Sequence, residues 1–310
     1  MSSAARCSSG PRTPPLDAHR QAWFFAAATV ALWSTVATAF ELALRTLTPA
    51  QLLAGANLVA VLTLGLICVV RGELGEALRV GRSGHARALG LGLLNPLAYY
   101  LVLFAAYDRL PGQVAQPLNY TWAITLSLLA VPLLGQRLVR GELPAMLVAW
   151  SGVLVIATDG DPRSFAVHDG PGVALALGST LIWALYWIAA ARDPRRPVGA
   201  LFLNFTYALP LTLFAGALAG PPRLDVVGVG AVIWVGLAEM AVSFVFWLLA
   251  LQKARSAAAI SSLIFVSPFL SLVLLATVAG ETIRPSTPAG LALIVAGMIA
   301  QQRLRARAAP

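Results

Sequence analysis

Gln116-Pro117-Leu118-Asn119-Tyr120-Thr121-Trp122-Ala123 places two amides, a proline and two aromatic rings with polar handles inside an otherwise apolar run. Asn119 and Trp122 stand i, i+3, with Gln116 one turn earlier, so a helix puts the three on one face and turns Tyr120 away from it. Hydrocarbon offers no hydrogen bonds, so such groups face protein or a water-filled cavity. Facing a cavity, amides and an indole can hold the amino or carboxyl group of a zwitterion and stack on its side chain. Facing a neighbouring helix, they act as interhelical hydrogen-bond partners. The same spacing logic picks out Asn95 with Tyr99, Ser179 with Trp183, and Asn204 with Tyr207. Trp33, in Ala31-Leu32-Trp33-Ser34, joins this substrate-path set. Glu239 lies near the centre of an apolar run with Ser243 four residues on. It reads as a protonatable site, a counter-charge for a substrate ammonium, or a protonated glutamate bonded to a neighbouring helix. Glu41 sits nearer a run's end, as a rim residue. Tyr186 and Trp187 approach the membrane boundary, where aromatic belts are expected.

Little here supports covalent chemistry. The three histidines, His19, His85 and His168, fall in the tail or in connecting segments, and no His-Glu-x-x-His occurs. Cys7 and Cys68 provide neither a disulfide framework nor a metal cluster. The expectation is no catalytic residue, no metal and no cofactor, with an integral membrane enzyme as the distant alternative. A channel would need polar rings or repeated filter segments, whereas these polar residues sit at different depths. No Lys, Arg, His or Asp falls deep in a run, which disfavours a fixed cationic cage for phosphate groups. Pro96, Pro117 and Pro268 remove backbone donors within runs and read as hinges.

The elements that must position these residues are membrane helices. Hydrophobic residues make up 58% of the 310 and charged residues 11%, against roughly 45–50% and 25% in soluble domains. Ten runs of roughly 18–25 residues are each long enough to cross as a helix: 22–44, 50–70, 87–107, 112–134, 142–158, 170–191, 198–219, 228–251, 256–279 and 287–304. Residues 1–21 are a polar, disordered cytoplasmic tail, 159–169 an external linker, and 305–310 a second cytoplasmic tail. With ten spans and both termini inside, 17 of the 22 Lys and Arg fall on the cytoplasmic side; Arg45, Arg109, Arg163, Arg223 and Arg284 fall outside. That bias sets the topology and accounts for the net charge of +9 without a nucleic-acid partner. Small-molecule solute and lipid bilayer are the expected partners. A monomer suffices, and a bacterial-type inner membrane is the expected location. The all-α fold is expected as two five-helix repeats, 22–158 and 170–304, around a central cavity.

The halves echo each other. Trp33 and Trp183 lie at equivalent depths, and Arg45 and Arg195 follow at equal distance. Gly135-Gln136 and Gly280-Glu281 end the fourth and ninth runs, with Gly152 and Gly297 at matching spacing beyond. Five spans per half make the second half inverted, the pattern of secondary transporters with a midplane site. Leu32-Trp33-Ser34 and the Gly-Glu-type corners resemble the drug/metabolite transporter superfamily in its ten-helix EamA-like branch. Asn119-Tyr120-Thr121-Trp122 is similar to the Asn-Tyr-x-Trp-Pro segment of its YddG-type aromatic amino acid exporters, with Ala123 in place of the proline and Gln136 in place of the first corner glutamate. The resemblance covers residues 20–305. It implies a basket with spans 5 and 10 outside, and export of aromatic and other neutral amino acids by alternating access. The alternative within the branch is a broad-specificity drug or metabolite exporter.

Overall fold

The computed structural model describes residues 16–135, 138–161, 169–254 and 262–308, and among these the regular elements are all helical. In chain order they are α1 (Leu16–Leu44), α2 (Pro49–Val70), α3 (Leu74–Leu78), α4 (Gly81–Gly92), α5 (Tyr99–Arg109), α6 (Gly112–Tyr120), α7 (Trp122–Leu134), α8 (Glu142–Ala157), α9 (Gly170–Ala190), α10 (Pro197–Leu218), α11 (Val226–Trp234), α12 (Ser243–Lys253), α13 (Ser267–Leu274) and α14 (Ser286–Ala308). Seven stretches among the described residues are long and apolar enough to cross a membrane: Arg20–Leu44, Pro49–Val70, Gly81–Arg109, Gly112–Leu134, Gly170–Ala190, Pro197–Leu218 and Val226–Lys253. Glu142–Ala157 and Leu263–Ala279 are shorter apolar helices. Gln136, Ser261, the side chain of Ser262, most of the 159–169 linker and the start of the ninth expected span lie outside the described residues.

Local chemistry fixes the helix ends. Thr48 Oγ1 accepts from Gln51 N at 3.3 Å while Gln51 Oε1 accepts from Thr48 N at 3.0 Å, a reciprocal cap ahead of Pro49. Asp169 and Asp225 cap α9 and α11 by accepting from Gly172 N (2.8 Å) and Gly228 N (2.5 Å). Gly135 and Gly280 close corresponding helices in the left-handed region, at φ 66° and 74°. Three helices exceed their expected runs, and α4 is one of them, beginning at Gly81 where 87 was expected. α1 begins at Leu16 and α14 continues to Ala308, because arginine favours helix and Arg305 bonds the buried Glu142 carboxylate on α8. His85, expected in a connecting segment, lies on α4 and shares a 2.9 Å hydrogen bond with Tyr207.

Packing runs through small residues. α8 and α14 lie along each other so closely that a Cβ on Gly290 would sit 2.6 Å from the Gly152 carbonyl oxygen. A Cβ on Gly297 would meet the Ala145 carbonyl at 2.5 Å. Dispersion contacts and backbone proximity, rather than water exclusion, hold helices together in lipid. Gly216 meets Ala54 in the same way between α10 and α2, and Asn57 Nδ2 donates to Thr212 Oγ1 at 3.1 Å across that seam. Gly220, its partner in a G-x-x-x-G, instead forms a turn with φ 86° and open space around it.

Three of the long helices break partway along their length. Asn95 is extended (φ −142°, ψ 116°) ahead of Pro96, between α4 and α5. Thr121 (ψ −1°) separates α6 from α7. Val235–Val242 winds as a π-helical turn between α11 and α12. Pro117 lies within α6 and the break follows it by four residues; Pro268 stands in the first turn of α13, where a proline is tolerated.

Candidate functional site

A central cavity of about 110 Å³ lies where α1, α5, α6, α7, α9 and α12 converge. Of the residues singled out by spacing, Trp33, Tyr99, Gln116, Asn119, Trp122, Trp183 and Glu239 line it together. Aromatic rings make up most of its wall. Trp183 stacks between Tyr99 (centroids 4.3 Å, planes 26° apart) and Tyr186 (5.6 Å, 26°), and Trp122 meets it edge-on at 6.5 Å. Trp33 packs on Trp247 at 5.5 Å. Such offset and edge-on pairs add to what area burial alone supplies.

Polar groups are threaded through this aromatic wall. Tyr99 OH donates to Asn119 Oδ1 at 3.3 Å, and Asn119 Nδ2 donates to Ser179 Oγ at 2.9 Å. Ser179 donates onward to the Ala176 carbonyl. Tyr100 OH donates to Glu239 Oε1 at 3.1 Å, which fixes the carboxyl rotamer and leaves its other oxygen for another partner. Ser243 Oγ donates to the Glu239 carbonyl oxygen at 2.7 Å, within the turn. Gln116 Oε1 is buried and has no partner.

Several assignments from spacing come out differently. Tyr120, expected to point away, lines the cavity beside Trp122; the break at Thr121 resets the helical phase between them. Trp187, expected in a boundary belt, also lines it. Ser179 and Ser243 are fully buried behind the wall and hold Asn119 and the Glu239 backbone. Asn95 is fully buried at its helix break and lies off the cavity wall. Asn204 and Tyr207 are away from the cavity. Asn204 Oδ1 accepts from Arg195 Nη2 at 2.9 Å, and Tyr207 pairs with His85. Phe40, Tyr107, Phe244 and Trp247 also line the cavity and were not anticipated. Phe40 and Tyr107 carried a signal in their helical spacing to known members, i+7 from Trp33 and i+8 from Tyr99, whereas Phe244 and Trp247 are spaced i, i+3 only to each other.

Two further chambers share lining residues with it and are called outer and inner after the sidedness expected from the Lys and Arg distribution. Tyr107 also borders an outer chamber of about 630 Å³ that holds Glu41, Gln113 and Glu281. There Glu281 accepts from Gly112 N (2.7 Å) and Gln113 N (3.1 Å), so the second corner's glutamate caps the first half's α6. Gln113 Nε2 donates back to the Thr282 carbonyl at 2.9 Å. Arg45 Nη2 donates to the Ala279 carbonyl at 2.5 Å, a further tie at this end. At the other end, Tyr120, Trp122, Trp187, Trp247 and Ile264 are shared with an inner chamber of about 520 Å³, walled by Leu126, Phe265 and Met298 and reaching Arg305.

Two carboxylates outside the spans have shifted acidities. The Gly172 N–H and the Arg109 guanidinium hold Asp169 below the usual carboxylate range. Burial pushes Asp193 up, but bonds from the Arg195 side chain and backbone, with Arg87 beyond, outweigh it and leave it below its ordinary value.

The EamA-like transporter family matches residues 21–158 and 170–300. The chain is similar to the aromatic amino acid exporter YddG of Ancylobacter novellus, 25% identical over 232 residues, which is 69% of this chain and 79% of that one. It is also similar to a probable terminal-alkyne amino-acid exporter of Streptantibioticus cattleyicolor, 26% identical over 208 residues, covering 65% and 68%. A crystal structure 22% identical in sequence superposes over 94% of this chain and 100% of that one with a TM-score of 0.65, a likeness of fold.

Proposed function

The chain belongs to the EamA-like transporter family, and from that membership we propose that it exports neutral amino acids, aromatic ones among them, across a bacterial-type cytoplasmic membrane. The observation that carries this reading is the central cavity's lining. A carboxyl (Glu239) and two amides (Gln116, Asn119) stand among the rings of Trp33, Tyr99, Trp122 and Trp183. Carboxyl and amide oxygens suit an ammonium, amide N–H groups suit a carboxylate, and ring faces suit an apolar side chain. One named relative is an aromatic amino acid exporter and the other a probable terminal-alkyne amino-acid exporter.

The transport cycle would be alternating access between two inverted five-helix halves, in a ten-helix monomer with both termini in the cytoplasm. The two family matches flank residues 159–169, as a duplicated unit would. Outer, central and inner chambers share walls in series, which suits a path opened from one side at a time. The breaks at Asn95, Thr121 and Val235–Val242 offer places for helices to bend. The size and apolar wall of the inner chamber favour, as the second reading, a broader exporter of apolar metabolites.

A panel of labelled neutral amino acids, organic cations and nucleotide sugars, offered to reconstituted liposomes with and without a pH gradient, tests the assignment. Saturable movement of large neutral amino acids is expected. Preference for organic cations or nucleotide sugars would sink it.

A further inference from the structure

α6 is short and has few backbone bonds of its own. It runs nine residues, Gly112–Tyr120, and Pro117 has no N–H to give the Gln113 carbonyl four residues earlier. The four leading N–H groups of a helix have no acceptor within it. Val114 N and Ala115 N turn to the Pro111 carbonyl, at 2.8 and 3.0 Å. Gly112 N and Gln113 N instead donate to Glu281, at 2.7 and 3.1 Å. The Gln113 side chain adds three bonds to the same segment. Its Nε2 donates to the Thr282 carbonyl at 2.9 Å, and its Oε1 accepts from Arg284 N at 2.9 Å and from Thr287 Oγ1 at 3.1 Å. All five bonds join the family match over residues 21–158 to the match over 170–300. At its far end α6 stops at the Thr121 break. Between these ends it places Gln113 on the outer chamber's wall, and Gln116, Asn119 and Tyr120 on the central cavity's.

We propose that α6 is the outer gate of the path, latched by Glu281 and Gln113 and hinged at Thr121. The inference rests on the alternating-access part of the reading above and is independent of which solute is carried. Parting the latch frees the N-terminal end of α6 from the second half and joins the outer chamber to the central cavity. That chamber, of about 630 Å³ with Glu41, Asp108, Arg109 and Arg284 on its wall, is polar and roomy enough for water. Water then serves the Gly112 and Gln113 N–H groups, so release exchanges protein bonds for water bonds and leaves no buried donor unmet. Asn119 rides on the same helix, so a solute held by Asn119 in the central cavity biases the gate directly.

Thiol labelling reads the gate without any solute. In a Cys7→Ser, Cys68→Ala background, Val36→Cys puts a reporter on the central cavity's wall and Ser127→Cys puts one on the inner chamber's. A membrane-impermeant methanethiosulfonate is applied to spheroplasts for the outer face and to inside-out vesicles for the inner face. Glu281→Ala and Gln113→Leu are each expected to speed outer labelling of Val36→Cys about tenfold, the scale of losing a charge-assisted or multiply bonded tie. Inner labelling of Ser127→Cys stays unchanged or slows. Glu281→Gln, which keeps one acceptor oxygen, falls between Glu281→Ala and its parent. An outer rate unchanged in these variants makes the contact a fixed tie and overturns the gate. Faster labelling on both faces marks a loosened fold and also overturns it. Gln113→Leu and Glu281→Gln carry the test should Glu281→Ala not give monodisperse protein. The gate and the exporter fail separately. Latch-dependent labelling without amino acid movement in liposomes keeps the gate and removes the exporter. Amino acid movement with labelling indifferent to Glu281 and Gln113 does the reverse.

Discussion

Trp122 and Glu239 give the central cavity an apolar face and a carboxyl. Trp122 presents its ring to both central and inner chambers and touches Trp183 edge-on. Trp122→Ala is expected to cut transport at least about tenfold, the scale of losing a buried aromatic contact, while the protein stays folded and membrane-inserted; wild-type rates in a flux assay would remove it from the path. Glu239→Gln keeps an acceptor for Tyr100 and deletes the counter-charge. The expected result is about a tenfold loss or more for zwitterions, read from flux; an unchanged rate would leave Glu239 without a counter-charge role. Asp193 bears on stability. Its carboxyl titrates below the unfolded aspartate value of about 3.9, so its contribution is present above that value and is lost as pH falls through the lowered folded one. Asp193→Asn should lower Tm by a few degrees at pH 7 and flatten the decline on acidification toward pH 3, as measured in detergent. The cavity was partly legible at this scale: Asn119, Trp122 and Trp183 stood out as polar or amphipathic residues in hydrocarbon. Tyr120 and Trp187 did not, because their facing depends on helix phase beyond a break. Asn204 and Tyr207 misled because a polar residue in a span can equally serve a neighbour, here Arg195 and His85.

Helix–helix seams carry the fold. Gly152, Gly290 and Gly297 let α8 and α14 approach until their backbones touch. Gly297→Leu places a branched side chain against the Ala145 carbonyl, and the expected outcome is loss of monodisperse protein in size-exclusion chromatography; full yield and unchanged Tm would show the seam to be pliable. The matched spacing of Gly152 and Gly297 was visible in the sequence, and so were most of the helices, since long apolar runs in a membrane have few other options. The breaks were legible only in part. Asn95-Pro96 announced itself through proline, whereas the π-helical turn over Val235–Val242 contains neither proline nor a polar cluster and is set by packing against α2 and α1. Periodicity is a weak guide when apolar residues surround a helix, as on α2 and α9, so rotation had to come from contacts.

At the scale of the whole molecule, three chambers share walls in series: an outer one with Glu41 and Glu281, a small aromatic centre, and a large apolar inner one. Such an arrangement suits a carrier better than a channel, because the centre is narrow and walled by stacked rings rather than by a ring of like polar groups. A carrier must expose one site to each side in turn, so solute on one face speeds the return of the empty site and hence exchange. Counterflow measures this directly: liposomes containing the purified chain are preloaded with unlabelled phenylalanine, and uptake of trace labelled phenylalanine is followed. The account predicts transient, saturable accumulation above that of unloaded liposomes, sharply reduced in Trp122→Ala. Uptake that is indifferent to preloading, or equal to that of protein-free liposomes, would contradict it.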